Sequence, residues 1–576
     1  MMSRLDANRA TVRAVYAAAA AVMLLTCAPY LYGWRLQGRD ASHGWYTGYA
    51  FGAVDNAVYA SWLRSAADGA VTQRNLFTTR PQGALPVNAY YLLVGRLLGA
   101  ARIPERAAFQ LTRLALGVLV LRAVWWLIGL LVQEDRARWA AWLCVCFSSG
   151  LGWLWEALLG GARPRPTDLW QPEGFTFLSL YWSPHFLAPL LLMIGVVGWM
   201  IVAERRRSLR AAAAAGLCGL ILADIHPYDL VPLALAWAAF LAARALPRRR
   251  LDAGAAGRAA CAAAVAAPGA LYMAWALRAD PVLAARAAVL TISPPPLAYL
   301  VGYGATLGLA AWAAAALLRG RLRARDDDSA LLLCCWAGAS LAAAYLPVPF
   351  QRKLVMGAHL PIAILAGLAV SRLAGRRRGA RAAAAVGLVV GLLGPSHALF
   401  LWRDARALRE NLGPVRLYLL PGERASLAWI RAHAAPGDAL QPLPWLEEPR
   451  PGEVGVADVS LALYAPGLTG LRVQCGHEGE TPRFRDALFS WARFCLPTTP
   501  DRVREEWLRS TGVRWLIFSQ KRPRDLDSPL LAVFRRPPPF LRRVPEASNA
   551  DADVFEVALP PVSAAPTPAR RAARGA

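Results

Sequence analysis

The chain has 576 residues, of which 56% are hydrophobic and 18% are charged, and its mean hydropathy is +0.33. Soluble proteins carry about 25% charged residues, so the composition excludes one large water-soluble enzyme and indicates a polytopic membrane protein. The formal net charge of +26 comes almost entirely from arginine, since Lys353 and Lys521 are the only lysines. With so much alanine, glycine and proline, this is typical of a GC-rich bacterial genome, and we predict no nucleic-acid partner.

Apolar runs in chain order predict eleven transmembrane helices, because a helix needs about 20 apolar residues to cross a bilayer. Two of them come from one long apolar stretch that the segment Asp224–Asp229 interrupts, since two carboxylates, a histidine and a proline would be costly at the bilayer centre. The predicted spans are 14–34, 107–132, 139–159, 185–203, 211–224, 229–246, 258–277, 296–318, 329–346, 354–373 and 381–402.

Arginines next to these spans predict the orientation of the chain. Most lie on the side of the N-terminus, which the positive-inside rule assigns to the cytoplasm. The outer side then holds the first long loop, 35–106, in which the apolar stretch 84–100 is expected to lie in the interface because Arg96 interrupts it.

Three domains follow from this reading of the chain. We expect a mainly helical transmembrane domain over 1–402 and a small α/β domain outside the membrane over 403–559. The stretch 560–576, rich in proline, alanine and arginine, is expected to be disordered.

Polar residues gather on the predicted outer side of the membrane. Scattered structural polar residues would have no reason to prefer one side, so this asymmetry predicts a site at the outer boundary between water and membrane. The candidate residues are Asp40, Asp55, His185, Asp224, His226, Tyr228, Asp229, Arg352, Lys353 and His359. Motifs for a serine nucleophile, a phosphate loop or a zinc protease do not occur in the sequence, which argues against ATP-driven transport and against a cytoplasmic sugar-nucleotide donor.

Four segments resemble elements of a known family. A first span followed by an outer loop with an acid resembles the GT-C class of integral-membrane glycosyltransferases. More closely, the chain is similar to a bacterial group of transferases in that class with D-x-x-x-Y, H-P-Y-D, P-F-Q-R-[KR] and R-V-x-x-G-H-x-x-x-T-P elements. Here these elements are Asp55–Tyr59, His226–Asp229, Pro349–Lys353 and Arg472–Pro482. One departure is Asn56, where many GT-C enzymes have a second acid.

The resemblance implies a transferase that takes a sugar from a polyprenyl-phosphate donor. The acceptor would be a glycan, lipid or protein of the cell envelope at the periplasmic face of a bacterial inner membrane. Asp55, or alternatively Asp40, would be the general base, and Arg352 with Lys353 would stabilise the leaving phosphate.

The remaining candidates would bind substrate, and no cofactor is predicted. His185, His226 and Asp229 would position the sugar or the phosphate, with Asp224, Tyr228 and His359 nearby. A divalent metal held by Asp55 with Asp224 or Asp229 is the open alternative. Two other functions stay open, namely a non-catalytic membrane protein that binds lipid-linked glycan or scaffolds envelope assembly, and a transporter.

Overall fold

The computed structural model describes residues 2–247, 249–375, 379–411, 415–443, 445–447, 455–519 and 532–559. The chain divides into two compact units. The first unit comprises Met1–Asn75 and Pro81–Leu419, and the second comprises Leu76–Arg80 and Leu420–Ala576. A short piece of the first long loop therefore belongs to the second unit.

The first unit is built from helices, with one two-stranded ladder between β1 (Trp45–Tyr46) and β2 (Tyr418–Leu419). Its helices are α1 Met2–Leu25, α2 Ala28–Leu36, α3 Ala53–Ala67, α4 Ala89–Ala100, α5 Glu105–Leu131, α6 Asp135–Phe147, α7 Gly152–Leu159, α8 Thr176–Trp182, α9 Pro184–Arg206, α10 Leu209–Ile225, α11 Leu230–Ala245, α12 Ala253–Ala279, α13 Pro281–Ala287, α14 Pro296–Leu318, α15 Asp327–Ala343, α16 His359–Leu373, α17 Gly379–Leu393 and α18 Pro395–Glu410.

The described helices of this unit match up to nine of the eleven predicted membrane crossings by length and composition. Seven segments are long and apolar enough to cross a membrane, or nine if each of the bent pairs α6–α7 and α17–α18 is one crossing. The remaining two predicted spans correspond to α10 and α15, which have 17 residues each. At 1.5 Å per residue that is about 25 Å, slightly short of a bilayer core of about 30 Å. The predicted mainly helical, polytopic fold is confirmed.

The break between α10 and α11 falls where the sequence predicts it. The α-helical pattern ends at Ile225, and Pro227–Asp229 form one turn of 3-10 helix before α11 begins at Leu230. Proline has no backbone N–H to donate, so it fits the first turn of a helix, where that N–H would have no partner within the helix. This break places His226, Tyr228 and Asp229 together at one end of two helices.

Small residues let the helices approach closely. On α10, a Cβ added at Gly216 would lie 2.6 Å from the carbonyl oxygen of Ala262 on α12. Likewise, a Cβ added at Gly269 on α12 would lie 2.8 Å from the carbonyl oxygen of Leu220 on α10. The high alanine and glycine content is thus used in helix packing, as is common for membrane helices.

The second unit is the predicted α/β domain. Its five-stranded sheet has the order β6-β3-β7-β9-β8, in which β3 is parallel to β6 and β7, whereas β9 is antiparallel to β7 and β8. β4 and β5 form a separate antiparallel pair. Trp491, Phe494, Leu516 and Phe555 contribute to its core. The strands are β3 Ala439–Pro442, β4 Trp445–Glu447, β5 Gly455–Asp458, β6 Arg472–Val473, β7 Val513–Ser519, β8 Leu541–Arg543 and β9 Ala552–Val557, and the helices are α19 Pro421–His433, α20 Ser460–Thr469, α21 Phe484–Cys495, α22 Asp501–Thr511 and α23 Ala532–Arg535.

The second unit begins later than the change in composition after residue 402, because α18 continues to Glu410 and β2 pairs within the first unit. The stretch 560–576, for which disorder is predicted, lies outside the described residues.

The contact between α6 and α16 offers a test of this packing. A Cβ at Gly367 of α16 would lie 2.2 Å from the Cα of Ala141 on α6. Gly367→Val should therefore lower the free energy of unfolding by about 1–3 kcal/mol, the usual cost of overpacking, measured as thermal stability in detergent. Gly308→Val on α14 is the matched control, since a Cβ there meets nothing within 4 Å. Equal destabilisation by both variants would contradict close packing of α6 on α16.

Candidate functional site

Asp55 lies in the first turn of α3, and the start of that helix depends on Gly52. Gly52 has φ +58°, in the left-handed region, and a Cβ there would lie 2.1 Å from Nε1 of Trp182. Only glycine fits both the conformation and the space. The next residue, Asn56, is fully buried and its amide donates to the carbonyl oxygen of Phe51 at 3.0 Å. An ionised aspartate could not make that donation, so the position that is acidic in many GT-C enzymes has a structural contact here.

The environment of Asp55 favours its protonated form. Water reaches the carboxylate, yet protein surrounds it closely enough that burial raises its pKa to about 6. The carboxylate of Glu173 raises this pKa further, while Arg352, Lys353 and Arg286 oppose the shift by attracting the charged form. Asp55 is therefore an accessible acid that titrates near neutral pH among three cations.

Aromatic and histidine rings form a row next to Asp55, which we call the ring row: Tyr91, Tyr59, His185, His226 and Tyr228. Tyr59 lies one helical turn after Asp55 and stacks on His185 with ring centroids 4.2 Å apart. Tyr91 of α4 stacks on the same imidazole at 5.8 Å. His185 contacts His226 at 5.7 Å, and His226 contacts Tyr228 at 4.5 Å. The row thus joins α3, α4, the start of α9 and the turn before α11.

The last two rings of the ring row each make a polar contact. Nδ1 of His226 lies 2.8 Å from a carboxylate oxygen of Asp229, which is fully buried. Nζ of Lys353 lies 3.3 Å from the hydroxyl of Tyr228 and 4.6 Å from the centroid of its ring. A cation over an aromatic face is attracted by the ring's electron density, so Tyr228 holds the lysine beside the row.

Arg352 is held by a second set of contacts. It lies in the 3-10 turn Gln351–Val355, and its guanidinium is 3.7 Å from Glu173 and 5.5 Å from the ring of Trp170. The carbonyl oxygen of Arg352 accepts from the amide of Gln171 at 3.3 Å. Glu173 is buried and influences both Arg352 and Asp55.

Arg286 and Glu173 are site residues that the sequence reasoning missed. Arg286 lies on α13 with its guanidinium 4.8 Å from the ring of Trp62, and its charge acts on Asp55. Its position in a predicted short outer loop, where arginines are scarce, indicates a possible role in the site. No feature of the sequence indicates such a role for Glu173, because nothing links an acid at that position to Asp55.

Three predicted site residues have other contacts. Asp40 is exposed and accepts from Ser42 and His43, which hold the pKa of its carboxyl well below the usual range. Asp224 accepts from the backbone N–H of Ala89 at 2.6 Å and so holds the start of α4. His359 is buried, with Nε2 3.2 Å from the hydroxyl of Ser148 and Nδ1 3.0 Å from that of Thr176. None of these contacts joins the group around Asp55.

The residues of the site suit an anion better than a metal ion. Within the described part of the chain, no group of three or more His, Cys, Asp or Glu side chains is arranged to hold a metal. Asp55 instead faces the charges of Arg286, Arg352 and Lys353. Arginine and lysine are side chains that bind phosphate, so these residue types suit an anion.

No family model and no curated protein matches the chain. Among solved structures, the archaeal oligosaccharyltransferase AglB from Archaeoglobus fulgidus, in complex with an inhibitory peptide and a dolichol-phosphate, has a TM-score of 0.49 at 12% identity, over 87% of this chain and 69% of that one. ArnT from Cupriavidus metallidurans bound to undecaprenyl phosphate has a TM-score of 0.49 at 14% identity, over 95% and 98%. The arabinofuranosyltransferase AftD from Mycobacteria has 0.46 at 14%, over 88% and 40%. At these scores the likeness decides nothing about chemistry.

Replacing Glu173 tests the electrostatics of the site. Glu173→Gln removes a negative charge that raises the pKa of Asp55, so this pKa should fall from about 6 toward the ordinary aspartate range. The Asp55 carboxyl can be titrated by infrared difference spectroscopy, with its band assigned as the one lost in Asp55→Asn. Arg286→Met should shift the same pKa upward. A pKa unchanged in both variants would contradict the proximity of these charges to Asp55.

Proposed function

We propose that the protein is a membrane glycosyltransferase that moves a sugar from a polyprenyl-phosphate donor to an acceptor of the cell envelope. The observation that carries this proposal is the placement of Asp55, with its raised pKa, among Arg286, Arg352 and Lys353. Transfer from a sugar phosphate requires removal of a proton from the acceptor and stabilisation of a leaving phosphate. The site offers a group for each requirement.

Asp55 is the proposed general base. A base works best when its pKa lies near the working pH, because it is then largely deprotonated and still takes up a proton readily. The acceptor oxygen would attack the anomeric carbon of the sugar while Asp55 takes its proton. The bond from that carbon to the phosphate oxygen breaks, and its electron pair leaves with the carrier phosphate.

The three cations are proposed to hold the phosphate of the carrier. Lys353 is positioned by Tyr228, Arg352 by Glu173 and Trp170, and Arg286 by Trp62. Cations that are already in place stabilise the developing negative charge without having to reorganise during the reaction. Arginine grips phosphate with paired hydrogen bonds, whereas lysine acts as a compact point charge.

The ring row is proposed to line the sugar part of the site. His226 is oriented by Asp229, and His185 is held between Tyr59 and Tyr91. Aromatic faces and oriented imidazole nitrogens are suited to the apolar faces and hydroxyls of a sugar. We do not assign Asp40, Asp224 or His359 to this site.

The reaction is proposed to take place at the periplasmic face of a bacterial inner membrane. The arginine asymmetry supports a cytoplasmic N-terminus and, with it, a periplasmic position for the second unit. The sugar, and whether the acceptor is a glycan, lipid or protein, are left open by this proposal.

Replacing the base should abolish transfer and leave carrier binding intact. Asp55→Asn should reduce the rate of sugar transfer to envelope acceptor by about 10²-fold or more, measured with radiolabelled polyprenyl-phosphate sugars on purified protein. In the wild type, the rate should rise with pH through about 6 and level off above it, because the base must be deprotonated. Carrier binding without transfer in the wild type, across a panel of donor sugars, would favour a non-catalytic binding protein instead.

Removing Lys353 should weaken carrier binding. Lys353→Met keeps the apolar stem and deletes the charge, so the Kd for undecaprenyl phosphate should rise about tenfold to a hundredfold, the effect of losing a hydrogen bond to a charged group. Lys353→Arg should recover part of the affinity. Arg278→Met, at an exposed cation near the end of α12, is the matched control and should bind like the wild type. Equal affinity of Lys353→Met and wild type would remove Lys353 from the phosphate site.

A further inference from the structure

The element Arg472–Pro482 has no part in the site described above, although it is one of the four segments of the family resemblance. Besides pairing with β3 through β6, it contacts the loop that joins α3 to α4. We call residues 75–89 of that loop the strap. The tip of the strap, Leu76–Arg80, belongs to the second unit, whereas the rest of it belongs to the first.

Four residues of the element hold the tip. The backbone N–H of Val473 donates to the carbonyl oxygen of Leu76 at 2.8 Å. The hydroxyl of Thr481 donates to the carbonyl oxygen of Phe77 at 2.7 Å, and Arg472 donates to that of Thr79 at 3.3 Å.

The fourth contact is between rings. The ring of His477 lies 5.5 Å from that of Phe77. Leu76, Phe77 and Thr78 are buried, whereas Arg74 and Arg80 on either side are exposed. The tip is therefore a short inserted segment held through its backbone.

Hydrogen bonds join the two sides of the strap next to its tip. The backbone N–H of Asn75 donates to the side-chain oxygen of Gln82 at 2.7 Å, and the amide of Gln82 donates back to the carbonyl oxygen of Asn75 at 2.9 Å. Farther from the tip, the N–H of Gln73 donates to the carbonyl oxygen of Pro86 at 2.7 Å. These bonds join the two sides of the loop on either side of its tip.

Those following residues are bonded to elements that carry the site. The backbone N–H of Gly83 donates to the carboxylate of Asp280. The other oxygen of Asp280 accepts from the N–H groups of Val282 and Leu283 at 2.8 and 3.0 Å and thus caps α13, the helix of Arg286. One carboxylate therefore joins the strap to a cation of the site.

The end of the strap makes a second connection of the same kind. Asp224 accepts from Ala89 and joins the start of α4 to the end of α10, two residues before His226. α4 carries Tyr91, and His226 is also in the ring row.

We propose that Arg472–Pro482 is a clamp for the strap and that, through the strap and Asp280, it sets the position of Arg286 in the candidate site. Thr481 and Asp280 are then positioning residues, which act on the site without contact with substrate. The effect on carrier phosphate rests on the proposed function, whereas the mechanical coupling does not. If the element only anchored the loop, the structure would show the contacts of the tip. It would not also show the bonds from the strap to Asp280 and Asp224.

Thr481→Val in the full-length protein tests the clamp, because valine keeps the shape and removes the hydroxyl. Trypsin cleavage after Arg74 reports release of the tip, and hydrogen exchange of 281–287 reports the mobility of α13. Both should increase by at least about fivefold, because valine removes the bond to Phe77 and also the acceptor of the N–H groups of Gly476 and His477. The Kd for undecaprenyl phosphate should rise with them. Thr481→Ser should restore all three values.

Thr499→Val is the matched control, since this buried threonine of the same unit donates to the carbonyl oxygen of Arg493 and lies outside the element. It should behave like the wild type. If Thr481→Val does not fold, Arg472→Met gives the same test through the contact with Thr79. Faster cleavage after Arg74 with unchanged exchange of α13 would overturn the proposal. Absence of carrier binding in the wild type would count against the proposed function alone, because exchange of α13 still decides the coupling.

Discussion

The attraction between Asp55 and three nearby cations is the interaction on which the candidate site depends. Burial and Glu173 raise the pKa of Asp55, and Arg286, Arg352 and Lys353 restrain that rise. With burial alone the acid would stay protonated, and with the cations alone it would be a weak base. Each cation in turn needs a partner of its own, and this need accounts for the positions of Trp62, Trp170 and Tyr228 around the site.

Close helix packing makes that arrangement possible. The charged residues come from α3, α13 and the short 3-10 turns Pro172–Gly174 and Gln351–Val355, which lie far apart in the chain. Glycines on α10, α12 and α16 bring the helix backbones together, and apolar side chains do not separate them. A composition that reflects genome bias thus also provides the small residues that membrane helices need at their contacts.

Much of the fold could be predicted because the length of an apolar run and the residues that interrupt it are local properties of the sequence. The predicted spans at 211–224 and 229–246 correspond to α10 and α11, since charged residues are costly inside a membrane and the helix breaks within Asp224–Asp229. The predicted spans 107–132 and 296–318 likewise correspond closely to α5 and α14. Their apolar character is visible without any knowledge of contacts.

The sequence by itself determined that the protein is a polytopic helical membrane protein and predicted that its candidate residues share one side of the membrane, because hydropathy and the placement of arginines depend only on neighbours in the chain. Only the tertiary structure decided which of those residues meet. It separated Asp40 and His359, whose partners are Ser42, His43, Ser148 and Thr176. It added Glu173 and Arg286, which are more than a hundred residues apart in the chain and both act on Asp55. The physical reason is that electrostatic interaction depends on distance in space, and helix packing sets that distance.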